Sequence, residues 1–227
     1  MTTDELRLLL NSGRLEIEKD IKEVCTGKIN SLSGQSKTYA ISHGWDLITA
    51  NEIDQLWGSY NLNLLEEIEK MAVSDEKRLE IIRGLKFEDS HWNWLKKSIA
   101  YPKDEYEWFF LFIDKKPQGA CLFFHPKESL LGTYEIFYIE YIAVAPWNRN
   151  TGIRPREYKG IGSSLLHCAC DYAKNELNLT QGFSLHALPQ AVSYYKTIGM
   201  INIPESDKEA LKYFEMPPDQ LRRLEDR

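Results

Sequence analysis

Residues 139–173, IEYIAVAPWNRNTGIRPREYKGIGSSLLHCACDYA, limit what this chain can fold into more than any other stretch. An aromatic and β-branched run reads as a strand that stops at Pro146. A loop carrying Arg154, Arg156 and Lys159 follows, and Gly160-Ile161-Gly162 opens an amphipathic segment that reads as a helix to about residue 178. A strand, a cationic loop and a glycine-started helix in that order point to an α/β protein with an anion at the helix start. Helix N-termini carry unpaired N–H groups and partial positive charge. Gly160 and Gly162 remove the Cβ atoms that would keep a ligand off those amides, while Ser163 and Ser164 add hydroxyls.

The rest of the chain supplies the partners for that unit. The segment EYEWFFLFIDKKPQGACLFF, 105–124, predicts a hairpin turning at Lys-Lys-Pro-Gln-Gly, and TYEIFYIEYIAV, 133–144, a long strand. Strict alternation would put Tyr138, Glu140, Ile142 and Val144 on one face and Phe137, Ile139, Tyr141 and Ala143 on the other. FSLHA reads as a short strand, QAVSYYKTIG as a short helix closed by Gly199, and MINI and LKYFEM as a final strand pair. Upstream, apolar spacing predicts helices around Ile53, Leu64 and Leu79, and one capped by Asp89 or Ser90 that carries Trp92, Leu95 and Ile99. WDLITA, 45–50, reads as a first strand. The first forty residues read as a helical extension, with a capping box at Thr2 and Glu5, Ile17, Ile21 and Val24 at helical spacing, and a polar break at 30–37. The expected organisation is a helical extension over 1–40 and an α/β domain over 41–227.

Composition removes some classes of function. The chain has 227 residues, 43% of them apolar, which is enough for a large core. A net charge of −6 argues against a general nucleic-acid binder. The longest apolar runs fall far short of a bilayer span, and MTTDELRLLL lacks a signal-peptide core, so the expected location is the cytoplasm. Cys25, Cys121, Cys168 and Cys170 form no Cys-x-x-Cys pair, so free buried thiols are expected and no metal.

A P-loop is excluded because no Gly-x-x-x-x-Gly-Lys-Ser/Thr run exists, and a dinucleotide fingerprint because Leu165 stands where its third glycine belongs. No Gly-x-Ser-x-Gly nucleophile elbow is present. Three pieces in order resemble the GNAT superfamily of acyl-CoA-dependent N-acyltransferases: the strand ending IAV at 142–144, the Gly-x-Gly turn at 160–162, and AVSYYKTIGM at 191–200. The resemblance spans roughly 45–216. Glu157 stands where that family usually has Gln or Arg, and the 145–159 loop is longer than usual.

The resemblance implies a central mixed, mostly antiparallel sheet flanked by helices, with the strands of Val144 and His186 splayed apart. It implies that acetyl-CoA is the co-substrate. The backbone of Ile142, Ala143 and Val144 would hold its pantetheine arm, and Arg156, Tyr158, Lys159, Gly160, Ile161, Gly162 and Ser163 its phosphates. An amine-bearing small molecule or peptide would attack the thioester directly, with no membrane or metal involved; the resemblance leaves a homodimer open. Tyr195 matches the tyrosine that protonates the leaving thiolate. A base for the amine is expected at His186, whose ordinary pKa near 6.5 suits the task, with Glu140 second. His43, His91, His125 and His167 read as structural or surface residues. The same fold without turnover would make a non-catalytic acyl-CoA-binding or sensing module, and a toxin-type transferase acting on charged tRNA is a further alternative.

Overall fold

A computed structural model describes residues 2–225 except 16, 18, 19, 86 and 102–105. Its single sheet has eight strands in the order β1-β2-β3-β4-β5-β6-β8-β7. These are β1 (Lys22–Asn30), β2 (Ser36–His43), β3 (Tyr106–Ile113), β4 (Lys116–Glu128), β5 (Glu135–Val144), β6 (Phe183–Ala187), β7 (Ile201–Asn202) and β8 (Lys212–Glu215). All neighbours are antiparallel except β5 and β6. One face packs against α5 (Ile161–Glu176), which buries Leu165, Leu166, Cys168, Ala169 and Ala173. The other face meets α2 (Leu47–Glu69) and α4 (Trp94–Ala100) through an aromatic core of Trp57, Trp94, Trp108, Phe110 and Trp147. The remaining helices are α1 (Thr3–Asn11), α3 (Asp75–Gly84), α6 (Val192–Thr197) and α7 (Pro218–Glu225). The mixed, mostly antiparallel sheet flanked by helices is the expected fold class, and the element order from the β3–β4 hairpin to the last strand pair is also as expected.

The N-terminal third departs from expectation. The capping box at Thr2 and Glu5 does start α1, but Lys22–Asn30 is a strand, not a helix. Apolar residues spaced by three and four fit both periods over so short a run, and cross-strand packing decides between them. Gly27 lies opposite Tyr39, and a Cβ on Gly27 would sit 2.5 Å from that ring. The tyrosine therefore covers the glycine and fills the space beside the edge strand. A boundary at residue 40 would cut β2, so the first forty residues do not form a helical extension. Residues 45–50 are not a strand. Asp46 caps α2, its carboxylate accepting from the Ile48 N–H at 2.9 Å and the Thr49 hydroxyl at 2.6 Å.

Smaller corrections have similar local causes. The hairpin turns at Asp114-Lys115, both at positive φ, which frees Pro117 and Gly119 to lie in β4; the expected strand start at Glu105 lies outside the described residues. Asn93, not Asp89 or Ser90, caps α4. Two of the four cysteines are not free: Cys25 and Cys168 form a disulfide, because the unexpected strand β1 carries Cys25 over α5. Cys121 and Cys170 lie outside that disulfide and are buried. No helix among the described residues is long and apolar enough to cross a membrane.

Candidate active site

β5 and β6 pair in parallel at Phe137–Phe183, Tyr138–Ser184 and Ile139–Leu185, and there the register ends. On its other edge β5 stays paired with β4 as far as Val144. Glu140–Val144 therefore has a paired edge and an open one. The Ala145 N–H donates to the Gln118 carbonyl at 2.8 Å, so alternation directs Ala143 toward β4 as well and turns Ile142 and Val144 toward the gap. Ala143 thus offers the gap no backbone group, contrary to expectation. The Val144 carbonyl is already taken: the Arg149 guanidinium donates to it at 2.9 and 3.2 Å and forms a fork with the buried Asp89 carboxylate at 2.5 and 2.7 Å. What stays open on this edge is the Ile142 N–H and C=O and the Val144 N–H.

The expected alternation along β5 fails at one residue. The pairing with β4 jumps from Ile139–Phe123 to Tyr141–Leu122, leaving Glu140 as the extra residue of a bulge. Past the bulge Ile142 and Val144 rejoin Phe137 and Ile139 on the α5 face, while Tyr141 and Ala143 pack with the aromatic core. Glu140 is therefore not on the face of Ile142 and Val144; it is turned into the cleft opened by the splay.

That cleft has a volume of about 470 Å³. Tyr138, Glu140, Tyr141 and Ile142 of β5, Leu185 and His186 of β6, and Tyr195 of α6 line it; His91, Trp92 and the turn at Lys208–Leu211 close its sides. Tyr195 is buried, and burial pushes its hydroxyl well above the ordinary tyrosine range. Tyr194 points outward and shares a hydrogen bond of 3.1 Å with the Ser163 hydroxyl. Glu140 is half-buried; burial raises its carboxyl, and the charges of Lys208 and Lys97 pull the other way. His186 has both ring nitrogens engaged: Nδ1 lies 2.5 Å from the Tyr138 hydroxyl, and Nε2 lies 2.8 Å from the Ser206 carbonyl. A carbonyl can only accept, so Nε2 carries the proton and Nδ1 accepts from Tyr138. Burial also lowers the pKa of His186.

At the end of the gap stands the glycine turn. Gly160 caps α5 with φ +102°, in the left-handed region, with open space around it. A Cβ on Gly162 would meet only Val144, at 3.5 Å. The preceding loop is tied down by its backbone. The Tyr158 N–H donates to Asn148 Oδ1 at 3.1 Å and the Glu157 N–H to the Trp147 carbonyl at 2.9 Å. The Glu157 carbonyl accepts from Leu32 at 3.1 Å, and Glu157 itself is exposed. Arg156 and Lys159 form no ion pair among the described residues. Arg154 does not face the turn with them: it pairs with Glu67 at 2.5 Å and lies over the Tyr60 ring.

The structure thus brings Ile142, Tyr195, Glu140 and His186 to one cleft, and places Val144 with residues 156–163 at the start of α5. Sequence reasoning missed Trp92, Tyr138, Tyr141, Asp89 and Arg149, and it read His91, which lines the cleft, as structural or surface. Asp89 and Trp92 stand at a predicted helix start, while Tyr138 and Tyr141 carry no mark that sets them apart within their predicted strand. Among the described residues, no group of three or more His, Cys, Asp or Glu is arranged to hold a metal.

No protein-family model and no curated protein matches the sequence. Similar solved structures include the apo form of FdhC, a nucleotide-linked sugar GNAT, at 12% identity over 87% of this chain and 93% of that one, TM-score 0.49. They also include the GNAT domain of S. lividans PAT, at 12% identity over 85% and 96%, TM-score 0.49. A third is the PaiA N-acetyltransferase from Thermoplasma acidophilum in complex with coenzyme A, at 13% identity over 78% and 98%, TM-score 0.47. At these scores the likeness assigns no role to any residue.

Proposed function

We propose that this chain is a GNAT-type N-acyltransferase that moves an acetyl group from acetyl-CoA to an amine by direct attack on the thioester. One observation carries the reading: the open edge of β5 beyond Ile139 leads from a cleft holding Tyr195 and Glu140 to the glycine turn of α5. An extended pantetheine arm fits such an edge as a missing strand, with Ile142 and the Val144 N–H as its hydrogen-bond partners. The phosphates then meet the first-turn amides of α5, with Arg156 and Lys159 beside them.

Tyr195 serves as the acid. An ordinary tyrosine, pKa about 10, gives its proton to a thiolate, conjugate pKa about 8.5, at a cost of about 2 kcal/mol. Burial raises that cost but keeps the hydroxyl protonated at every working pH, so its hydrogen bond strengthens as charge grows on the departing sulfur. Glu140, not His186, serves as the base. His186 has no nitrogen left to offer, since it spends one on Ser206 and the other on Tyr138, and its part is to orient Tyr138. A carboxylate raised by burial is a better base than a free one, and Glu140 stands at the bulge inside the cleft. An alkylamine of pKa about 10 is neutral about a thousandth of the time at pH 7, so a base at this point is useful.

Calorimetry with acetyl-CoA, followed by thiol release with a panel of amines, peptides and charged tRNAs, tests the proposal. Binding together with acceptor-dependent thiol release is expected. Absence of acetyl-CoA binding would end the acyltransferase reading, and binding without release for any acceptor would favour the sensing module.

A further inference from the structure

Against two rings of the cleft wall, though not among the residues that line the cavity, the structure holds a primary amine of its own. Lys97 projects from α4 with Nζ 3.2 Å from the centroid of the Tyr141 ring and 5.1 Å from that of Trp92. Both rings are walls of the cleft, and they pack edge to face with centroids 4.9 Å apart. The charges that act on the amine are Glu140, the base of the proposed reaction, and Asp54. Asp54 is committed elsewhere: it accepts from the Trp94 and Leu95 N–H groups and from Arg7. An aromatic wall that holds an ammonium, within electrostatic reach of a carboxylate able to take its proton, is what an amine acceptor requires of its site.

We propose that Lys97 is itself an acyl acceptor, so that the protein acetylates its own α4 when no external amine fills the cleft. The inference rests on the acyltransferase reading above. The neutral Lys97 nitrogen attacks the thioester carbonyl and forms the C–N bond. The proton it sheds passes to Glu140, the C–S bond breaks, and the thiolate takes a proton from Tyr195. The product is an uncharged amide, which no longer draws on the ring faces as an ammonium does. Burial also brings the Lys97 pKa down to about 8. About a tenth of it is then neutral at pH 7, against well under a thousandth for an ordinary lysine. Exposed Lys96, next in the chain, lacks these features and provides a control inside the same molecule.

Incubating the full chain with acetyl-CoA alone, followed by peptide mass spectrometry, tests the inference. One acetyl group on Lys97 is expected, forming faster as pH rises from about 7 to 9, with Lys96 unmodified. Tyr195→Phe should slow it at least tenfold without loss of acetyl-CoA binding by calorimetry. Lys97 left free although acetyl-CoA binds would overturn the inference and spare the acyltransferase reading. Equal labelling of Lys96, or labelling indifferent to Tyr195→Phe, would mean simple chemical acetylation and overturn it too. If acetyl-CoA does not bind at all, both fall together.

Discussion

The two walls of the cleft are held in different ways. On the β5–α5 side the groups that face the gap belong to the backbone: the Ile142 amide and carbonyl, the Val144 amide, and the first-turn amides behind Gly160. On the α4 side they are side chains delivered from separate segments, with His91 and Trp92 from one and Tyr138, Glu140 and Tyr141 from another. A site made of backbone requires particular residues at particular spacings, because only glycine takes φ +102° without strain and only an unpaired strand edge offers free amides. A site made of side chains can use many residue types and needs only that the fold bring them together. The first kind can be read in one sequence, and the second mostly cannot.

Tyr195→Phe probes the point where the walls meet, and its effect should be the largest. Removing one hydroxyl should leave acetyl-CoA affinity unchanged and lower turnover by about 10²–10⁴-fold, the usual worth of a positioned general acid. Steady-state thiol release together with calorimetry checks both halves of that expectation. Unchanged turnover would remove Tyr195 as the acid.

Asp89→Ala breaks a direct tie between the α4 side and the open edge of β5. Asp89 comes from the segment just before Trp92, and its partner Arg149 also holds the Val144 carbonyl. Leaving a largely buried guanidinium without its carboxylate should cost about 3 kcal/mol of stability, read by urea denaturation. Acetyl-CoA affinity should fall as well, although Asp89 itself does not line the cleft. A stability loss with full affinity would show that the two walls act independently.

Glu140 separates function from stability by opposite signs. Burial raises its carboxyl, so the folded state prefers the neutral form. The stability it contributes is complete below the unfolded pKa and is lost as pH rises through the folded one. Glu140→Gln should therefore raise the melting temperature at neutral pH while it lowers turnover and flattens the rise of rate with pH. If His186→Gln flattens that profile and Glu140→Gln does not, the base is the histidine after all.

How far the sequence could be read follows the same division. The element order from β3 to β8 and the glycine turn were legible because apolar period and glycine spacing encode them, whereas the splay was expected only from the family resemblance. The bulge was not, since IFYIEYIAV alternates without a break and only pairing with β4 sets Glu140 apart as the extra residue. Strand β1 was hidden for a related reason: its stability comes from Tyr39 lying across Gly27, a contact between strands and not a feature of its own period. Missing β1 also hid the Cys25–Cys168 disulfide.

The smallest expected effects come from the two glycines of the turn, which separate conformational need from ligand approach. At Gly160 a side chain would meet open space, but φ +102° makes any L-residue strained, so Gly160→Ala should cost about 1–2 kcal/mol of stability. At Gly162 the backbone is helical, and the new methyl would sit in ordinary contact with Val144 at 3.5 Å. Alanine is the better helix former by about 1 kcal/mol in a helix interior and by less in the first turn, so Gly162→Ala should raise the melting temperature slightly. If phosphates approach the first-turn amides, that same methyl intrudes on them, and acetyl-CoA affinity should fall by several-fold in a protein that is, if anything, more stable. Differential scanning calorimetry paired with isothermal titration reads both quantities on one preparation. Full affinity in Gly162→Ala, with loss only in the strained Gly160→Ala, would mean that the turn shapes the loop without touching the ligand, and the phosphates would have to be sought nearer Arg156 and Lys159.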